Sequence, residues 1–150
     1  MYSSELEMSK EFERFLKARF GNSYVKEYQG LFGIPDFIFY AKADNKILVI
    51  SFELKLKDWK RAAKQAFRYR SFSNASYVIM PRNSVNKAVE NISLFRRYNL
   101  GLASFNHEHD FRLLFRPETS KPFSVSLNER FLYDIRYSRK QSKNYNELLS

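Results

Sequence analysis

The amino-acid sequence predicts an α/β (α+β) fold with a mixed central sheet flanked by helices. Three observations point there. The chain opens with apolar residues at helical spacing, continues through short β-rich runs bounded by turn residues, and then alternates amphipathic helices with further strands. The resulting order is a helix followed by β-β-β-α-β-α-β, which calls for both antiparallel and parallel neighbours in one sheet.

Ser4 to Arg19 reads as the first helix: Ser4 can cap it, Glu5 and Glu7 suit its positive end, and Met8, Phe12, Phe15 and Leu16 fall on one side. Gly21-Asn22 ends it, and Tyr24 to Tyr28 follows as a short edge strand. The loop from Gln29 to Gly33 leads into a strand from Ile34 to Tyr40. A turn-like Ala43-Asp44-Asn45-Lys46 then joins it to a second run, Ile47 to Lys57. From Phe52 onward this run alternates, so Phe52, Leu54 and Leu56 take one face while Glu53, Lys55 and Lys57 take the other. Asp58 can cap a helix from Trp59 to about Phe72. Ala62, Ala63 and Ala66 suit close packing on a sheet, and Lys60, Arg61, Lys64 and Arg68 make a basic outer surface.

Ala75 to Met80 is the next strand, stopped by Pro81. Ser84 is expected to cap a helix with the apolar stripe Val85, Ala88, Val89, Ile92 and Phe95, before a strand from Gly101 to Phe105. Phe111 to Phe115 suggests another short strand, and Asn128 to Tyr137 a last helix. We expect one domain over residues 1–150, with its core in about 4–105 and a basic aromatic C-terminal extension. In that extension Tyr133, Tyr137 and Tyr145 interleave with Arg136, Arg139, Lys140 and Lys143, a mixture that suits either nucleic acid or a solvated end.

The 150 residues carry a formal charge of +10, with 15 Phe, ten Tyr and no Cys. A field of that sign concentrates polyanions, so nucleic acid is the natural partner. Lack of cysteine removes thiolate catalysis, disulfides and cysteine zinc sites. No apolar stretch approaches the length of a membrane span, and the first residues lack a basic-then-apolar leader. No membrane partner and a cytoplasmic location are therefore expected.

The chemistry concentrates in Asp36 and the triplet Glu53-Leu54-Lys55. A hairpin across residues 43–46 brings Asp36 near Glu53, so two strand carboxylates and a lysine share one sheet edge, as metal-dependent phosphodiester hydrolysis requires. The same residues also suit a turn cap after Pro35 and a solvated strand face. His107 and His109, in a turn between strands, are only weakly like a metal-binding pair.

Pro35-Asp36, Glu53-Leu54-Lys55, then Gln65 and Tyr69 on the following helix and Tyr77 to Met80 on the following strand resemble the PD-(D/E)XK nuclease superfamily. This is the restriction-endonuclease-like fold that includes Holliday junction resolvases. The resemblance implies a divalent-metal-dependent endonuclease using Mg²⁺ (or Mn²⁺), with DNA favoured over RNA and a homodimer for cutting both strands. Carried over residue by residue, it makes Asp36, Glu53 and the Leu54 carbonyl the metal ligands and Lys55 the basic group. Gln65 becomes an accessory residue, and Glu5 the best first-helix acid to complete the site, with Glu7, Glu11 and Glu27 as alternatives. Lys60, Arg61, Lys64 and Arg68 would hold the nucleic acid. The competing expectation is a catalytically inactive nucleic-acid-binding or protein-interaction module of the same fold.

Overall fold

The computed structural model describes residues 2–150. Helix α1 spans Glu5–Phe20. The Ser4 hydroxyl accepts the Glu7 N–H at 3.1 Å, Glu5 and Glu7 occupy the positive end, and Met8, Phe12, Leu16 and Phe20 are buried along one side. Gly21 stops the helix at φ +95°, and a Cβ there would lie 2.3 Å from the Gln141 carbonyl oxygen. Both the left-handed backbone and the close approach require glycine.

Strand β1 (Tyr24–Lys26) pairs antiparallel with β2 (Phe37–Ala43), and β2 antiparallel with β3 (Lys46–Leu54), β2 and β3 joining through a tight turn with Asp44 at φ +58°. After β3 the chain crosses over through α2 (Trp59–Tyr69) to β4 (Ala75–Pro81), which pairs parallel with β3. A second crossover through α3 (Asn86–Glu90) and α4 (Ile92–Tyr98) leads to β5 (Gly101–Phe105), parallel to β4, and β6 (Arg112–Phe115) returns antiparallel. The six strands form one mixed sheet in chain order, and α5 (Val125–Asp134) follows.

Strand alternation sorts the side chains to two faces. Phe37, Phe39, Phe52, Leu54, Tyr77 and Ile79 pack against α1. On the opposite face Val78, Met80 and Leu102 meet α2, α3 and α4, while Ile38, Tyr40 and Val49 meet Tyr69, Phe72 and Phe131. The core draws on residues past 105: Phe131 and Leu148 are fully buried, and Tyr77 donates its hydroxyl to the Leu148 carbonyl at 2.6 Å. No helix among the described residues is long and apolar enough to cross a membrane.

Several local expectations are corrected. Ser84 does not cap the following helix, because its hydroxyl donates to the Leu56 carbonyl, and Val85 stands at the N-cap without a side-chain bond. The expected continuous helix breaks at Asn91, whose side-chain amide donates to the Lys87 carbonyl at 2.8 Å, a local bond that competes with the helix ladder. Val89 is consequently exposed rather than part of a buried stripe. The last helix begins three residues earlier than expected, because Ser124 accepts the Leu127 N–H as its cap. Strand β3 ends at Leu54, so Lys55 to Lys57 lie beyond it.

Candidate active site

Asp36 immediately precedes β2, and Glu53 is the penultimate residue of β3. Phe37 pairs with Phe52, so one further step in the antiparallel register sets Asp36 opposite Glu53, on the sheet face that α2 covers. The hairpin thus brings together the two acids that 16 intervening residues separate.

Asp36 Oδ2 accepts the Leu54 N–H at 2.7 Å. In an extended strand a residue's N–H and C=O point the same way, so the Leu54 carbonyl turns toward the Asp36 side as well. Lys55 points its own N–H the other way, into β4, where it bonds the Ile79 carbonyl at 3.0 Å. Glu53 is only 5% exposed, and Tyr69 donates its hydroxyl to Glu53 Oε1 at 2.6 Å. The same hydroxyl lies 3.1 Å from the Ile34 carbonyl. A protonated Glu53 can therefore donate to Tyr69 while Tyr69 donates onward to Ile34, so this contact serves either protonation state.

Both acids are held well above the ordinary carboxylate range. Burial is the main cause at Asp36, opposed by the Leu54 N–H and increased by Glu5, and raises its pKa to about 6. At Glu53, burial followed by repulsion from Asp36 raises it to about 8, with Tyr69 and Lys55 acting in the opposite direction. Two neighbouring, largely buried acids titrate as a pair, and the first proton lost makes the second harder to remove.

Lys55 has its side chain 18% exposed, with Nζ 3.9 Å from Glu5 Oε2. Glu5 also accepts the Leu56 N–H at 3.3 Å. The N-terminus of α1 therefore sits at the end of β3, and Glu5 is the first-helix acid that reaches the pair. Glu27 is exposed and further out, contributing the weakest of the repulsions that act on Asp36. Gln65 lies one helical turn before Tyr69, on the same side of α2. Its Oε1 is buried with no hydrogen-bond partner among the described residues. Such an oxygen is costly to bury alone and suits a donor or cation arriving from outside.

Asp36, Glu53 and the Leu54 carbonyl offer hard oxygen donors of the kind that suit Mg²⁺ or Mn²⁺, and Gln65 carries a further unpartnered oxygen on α2. Glu7 and Glu11 do not join it. They face His107, with Glu11 Oε2 2.8 Å from Nδ1 and Glu7 Oε1 3.6 Å from Nε2, and His109 Nε2 lies 3.7 Å from Glu11 Oε1. One ligand atom from each of Glu7, Glu11 and His107 falls within 4.8 Å of the others, a second group with the residue types of a metal site.

Lys60, Arg61, Lys64 and Arg68 are all exposed on the outer side of α2, and Arg68 lies 5.6 Å over the Phe32 ring in the loop before Asp36. Of the tail residues, Tyr133 and Tyr137 are exposed with Arg136 stacked on both, whereas Tyr145 packs into the core and Lys140 donates to the Tyr24 carbonyl. Tyr69 is the residue whose role was not read from sequence. The signal was its spacing of four from Gln65, which puts the two on one side of α2, from which the Tyr69 hydroxyl reaches the β3 acid. No protein-family model, curated protein or solved structure matches the chain.

Proposed function

We propose that the protein is a divalent-metal-dependent endonuclease of the PD-(D/E)XK kind, hydrolysing phosphodiester bonds with DNA favoured over RNA. The observation that carries this reading is the facing of Asp36 and Glu53 across the β2–β3 register, where burial resists their ionisation. Burial of a charged acid pair is strongly unfavourable without a counter-charge, and one lysine cannot neutralise two carboxylates. A divalent cation can.

Asp36, Glu53 and the Leu54 carbonyl would hold Mg²⁺ or Mn²⁺, which supplies a charge that stabilises the developing negative phosphate and makes water a competent nucleophile near neutral pH. The chain's own groups have separable tasks. The Leu54 N–H fixes one Asp36 oxygen and leaves the other available. Tyr69 orients Glu53 through its hydroxyl. Lys55, held at the strand end by its backbone bond to Ile79, brings a cation to the phosphate or the attacking water, and Gln65 offers its unpartnered oxygen or its amide. The exposed cations of α2 fix the strand by its phosphates, a sequence-independent attraction. Cutting both strands of a duplex would call for two copies of a chain this small.

The test is cleavage of labelled single-stranded, duplex and branched DNA and of RNA with Mg²⁺, Mn²⁺ or EDTA, comparing native protein with Asp36→Ala and Lys55→Ala. Metal-dependent cutting that falls at least ~100-fold in both variants supports the reading, since loss of one group stabilising transition-state charge typically has that effect. Binding with no cutting on any substrate would replace it with the inactive binding-module reading.

A further inference from the structure

Helix α2 has a second working side. Away from the acid pair, a groove of about 530 Å³ opens between α2 and α4, walled by Trp59, Ala63, Phe67, Leu94, Tyr98 and Leu100. Its remaining lining is cationic, from Lys60, Lys64 and Arg68, and no carboxylate lines it. The size falls within the roughly 300–1,000 Å³ of small-molecule sites.

The surface around the groove repeats the same mixture. Phe67 and Tyr98, each 39% exposed, meet edge to face with centroids 5.5 Å apart, and Phe123, 56% exposed, lies 5.5 Å from Phe67 on another side. Arg70 sits 4.6 Å over Phe123, and Arg97 sits 5.6 Å over Tyr98. Aromatic faces left in water beside guanidinium groups offer stacking surface and charge together. Lys60, Lys64 and Arg68 recur every four residues, spacing the charges roughly 6 Å apart along the helix axis.

We infer that this groove takes an unpaired base from a single-stranded stretch of nucleic acid, with the lysines and Arg68 holding its flanking phosphates. A base inside a duplex is stacked and its face is hidden, so only an unpaired or extruded nucleotide can enter a concavity on the flank of a helix. A second copy of the chain is disfavoured as the occupant. A two-fold contact through this groove would set three cations against the same three, a like-charge juxtaposition that opposes association. Binding at the groove stands apart from the nuclease reading, and only the cleavage of the bound strand rests on it; there the groove makes single-stranded or branched nucleic acid the substrate class, because Arg68 and Phe32 connect it to the loop that carries Asp36.

Fluorescence anisotropy in EDTA tests the inference without cleavage. The probes are a labelled oligothymidylate, a duplex of equal length and an abasic oligomer with the same phosphates; the proteins are native, Phe67→Ala, Tyr98→Ala, Phe67→Tyr and Lys64→Ala. Both aromatic residues are partly exposed, and circular dichroism confirms that each variant is folded. We expect the oligothymidylate to bind more tightly than the duplex or the abasic strand. Phe67→Ala and Tyr98→Ala should each weaken it about five- to 150-fold with the salt slope unchanged, and Phe67→Tyr should restore it. Lys64→Ala should weaken all three probes and reduce the single-strand salt slope by about 0.7. Equal affinity for the abasic strand, or indifference to both aromatic truncations, would overturn the inference. So would sedimentation showing a native dimer that Phe67→Ala converts to monomer. Phe67-dependent binding by a native chain that never cuts would leave the groove standing and remove the nuclease reading, whereas metal-dependent cutting without base-dependent binding would do the reverse.

Discussion

Replacing Glu53 with glutamine should make the metal-free protein more stable at alkaline pH, although it alters the centre of the candidate site. Glu53 is buried and its pKa is raised from the ordinary 4.5 to about 8, so the folded state holds this proton more tightly than the unfolded chain does. Its stabilising effect is complete below about pH 4.5 and is lost as pH rises through about 8. At about 1.4 kcal/mol per pH unit the rise sets a ceiling of about 5 kcal/mol. Asp36 loses its proton in the same interval and the pair shares the repulsion, so we expect a loss of about 3 kcal/mol between pH 5 and pH 9 that depends on Glu53. Glutamine keeps an oxygen to accept from Tyr69 and cannot ionise. Urea unfolding of native protein and Glu53→Gln, in EDTA at both pH values, measures the difference for the coupled pair while titrating groups remote from it cancel. With a slope of about 2 kcal/mol/M, the native midpoint should fall about 1.5 M further than that of the variant. Mg²⁺ at pH 8.5 should restore the native protein and leave Glu53→Gln unchanged, since only the charged pair binds it well. Equal pH dependence in the two proteins would refute the reasoning.

Tyr69→Phe removes the hydroxyl that donates to Glu53 and should destabilise by about 1–3 kcal/mol, more at pH 9 than at pH 5, because the bond favours charged Glu53; urea unfolding at both pH values checks it. Gln65→Leu should leave metal-free stability unchanged or raise it by up to about 2 kcal/mol by removing a buried, unpartnered oxygen, while cleavage slows more than tenfold; unfolding and rate measurements on the same preparation separate the effects. Gly101→Ala should lower stability by about 1–3 kcal/mol, read as a fall in thermal midpoint, because its Cβ would stand 2.3 Å from a Tyr77 ring carbon. That ring is fully buried and tied to the Leu148 carbonyl, so it has little room to move.

Periodicity carried the architecture wherever one face of an element was buried. Met8, Phe12 and Leu16 marked α1, and the alternation after Phe52 separated Leu54 from Glu53 before any partner was known. The hairpin register came from the turn at Asp44 and was enough to align Asp36 with Glu53. Side-chain competition for backbone groups was less legible. Ser84 has the composition of a cap, yet its hydroxyl goes to Leu56, 28 positions away in sequence, and helical spacing does not reveal that preference. The division of the α1 acids was equally hidden. Glu5, Glu7 and Glu11 all border the apolar stripe, and only the docking of α1 on the sheet decides that Glu5 meets Leu56 while Glu7 and Glu11 meet the loop of His107.

That division also decides which acidic group has the greater need of a cation. Glu7 accepts from the Ser3 hydroxyl, and this bond leads in holding its pKa below the ordinary value; Glu11 faces the imidazoles of both His107 and His109. Both carboxylates have partners already in place, and an incoming ion would have to displace those partners before it gained a ligand. Asp36 and Glu53 stand in the opposite position. Burial at both acids, with repulsion from Asp36 at Glu53, keeps a proton on the pair near neutrality, so an arriving divalent cation exchanges for that proton and offsets the repulsion in the same step. The acids that most resist ionisation gain most from a cation, which makes the β2–β3 edge, rather than the helix–loop cluster, the stronger candidate for the proposed metal site.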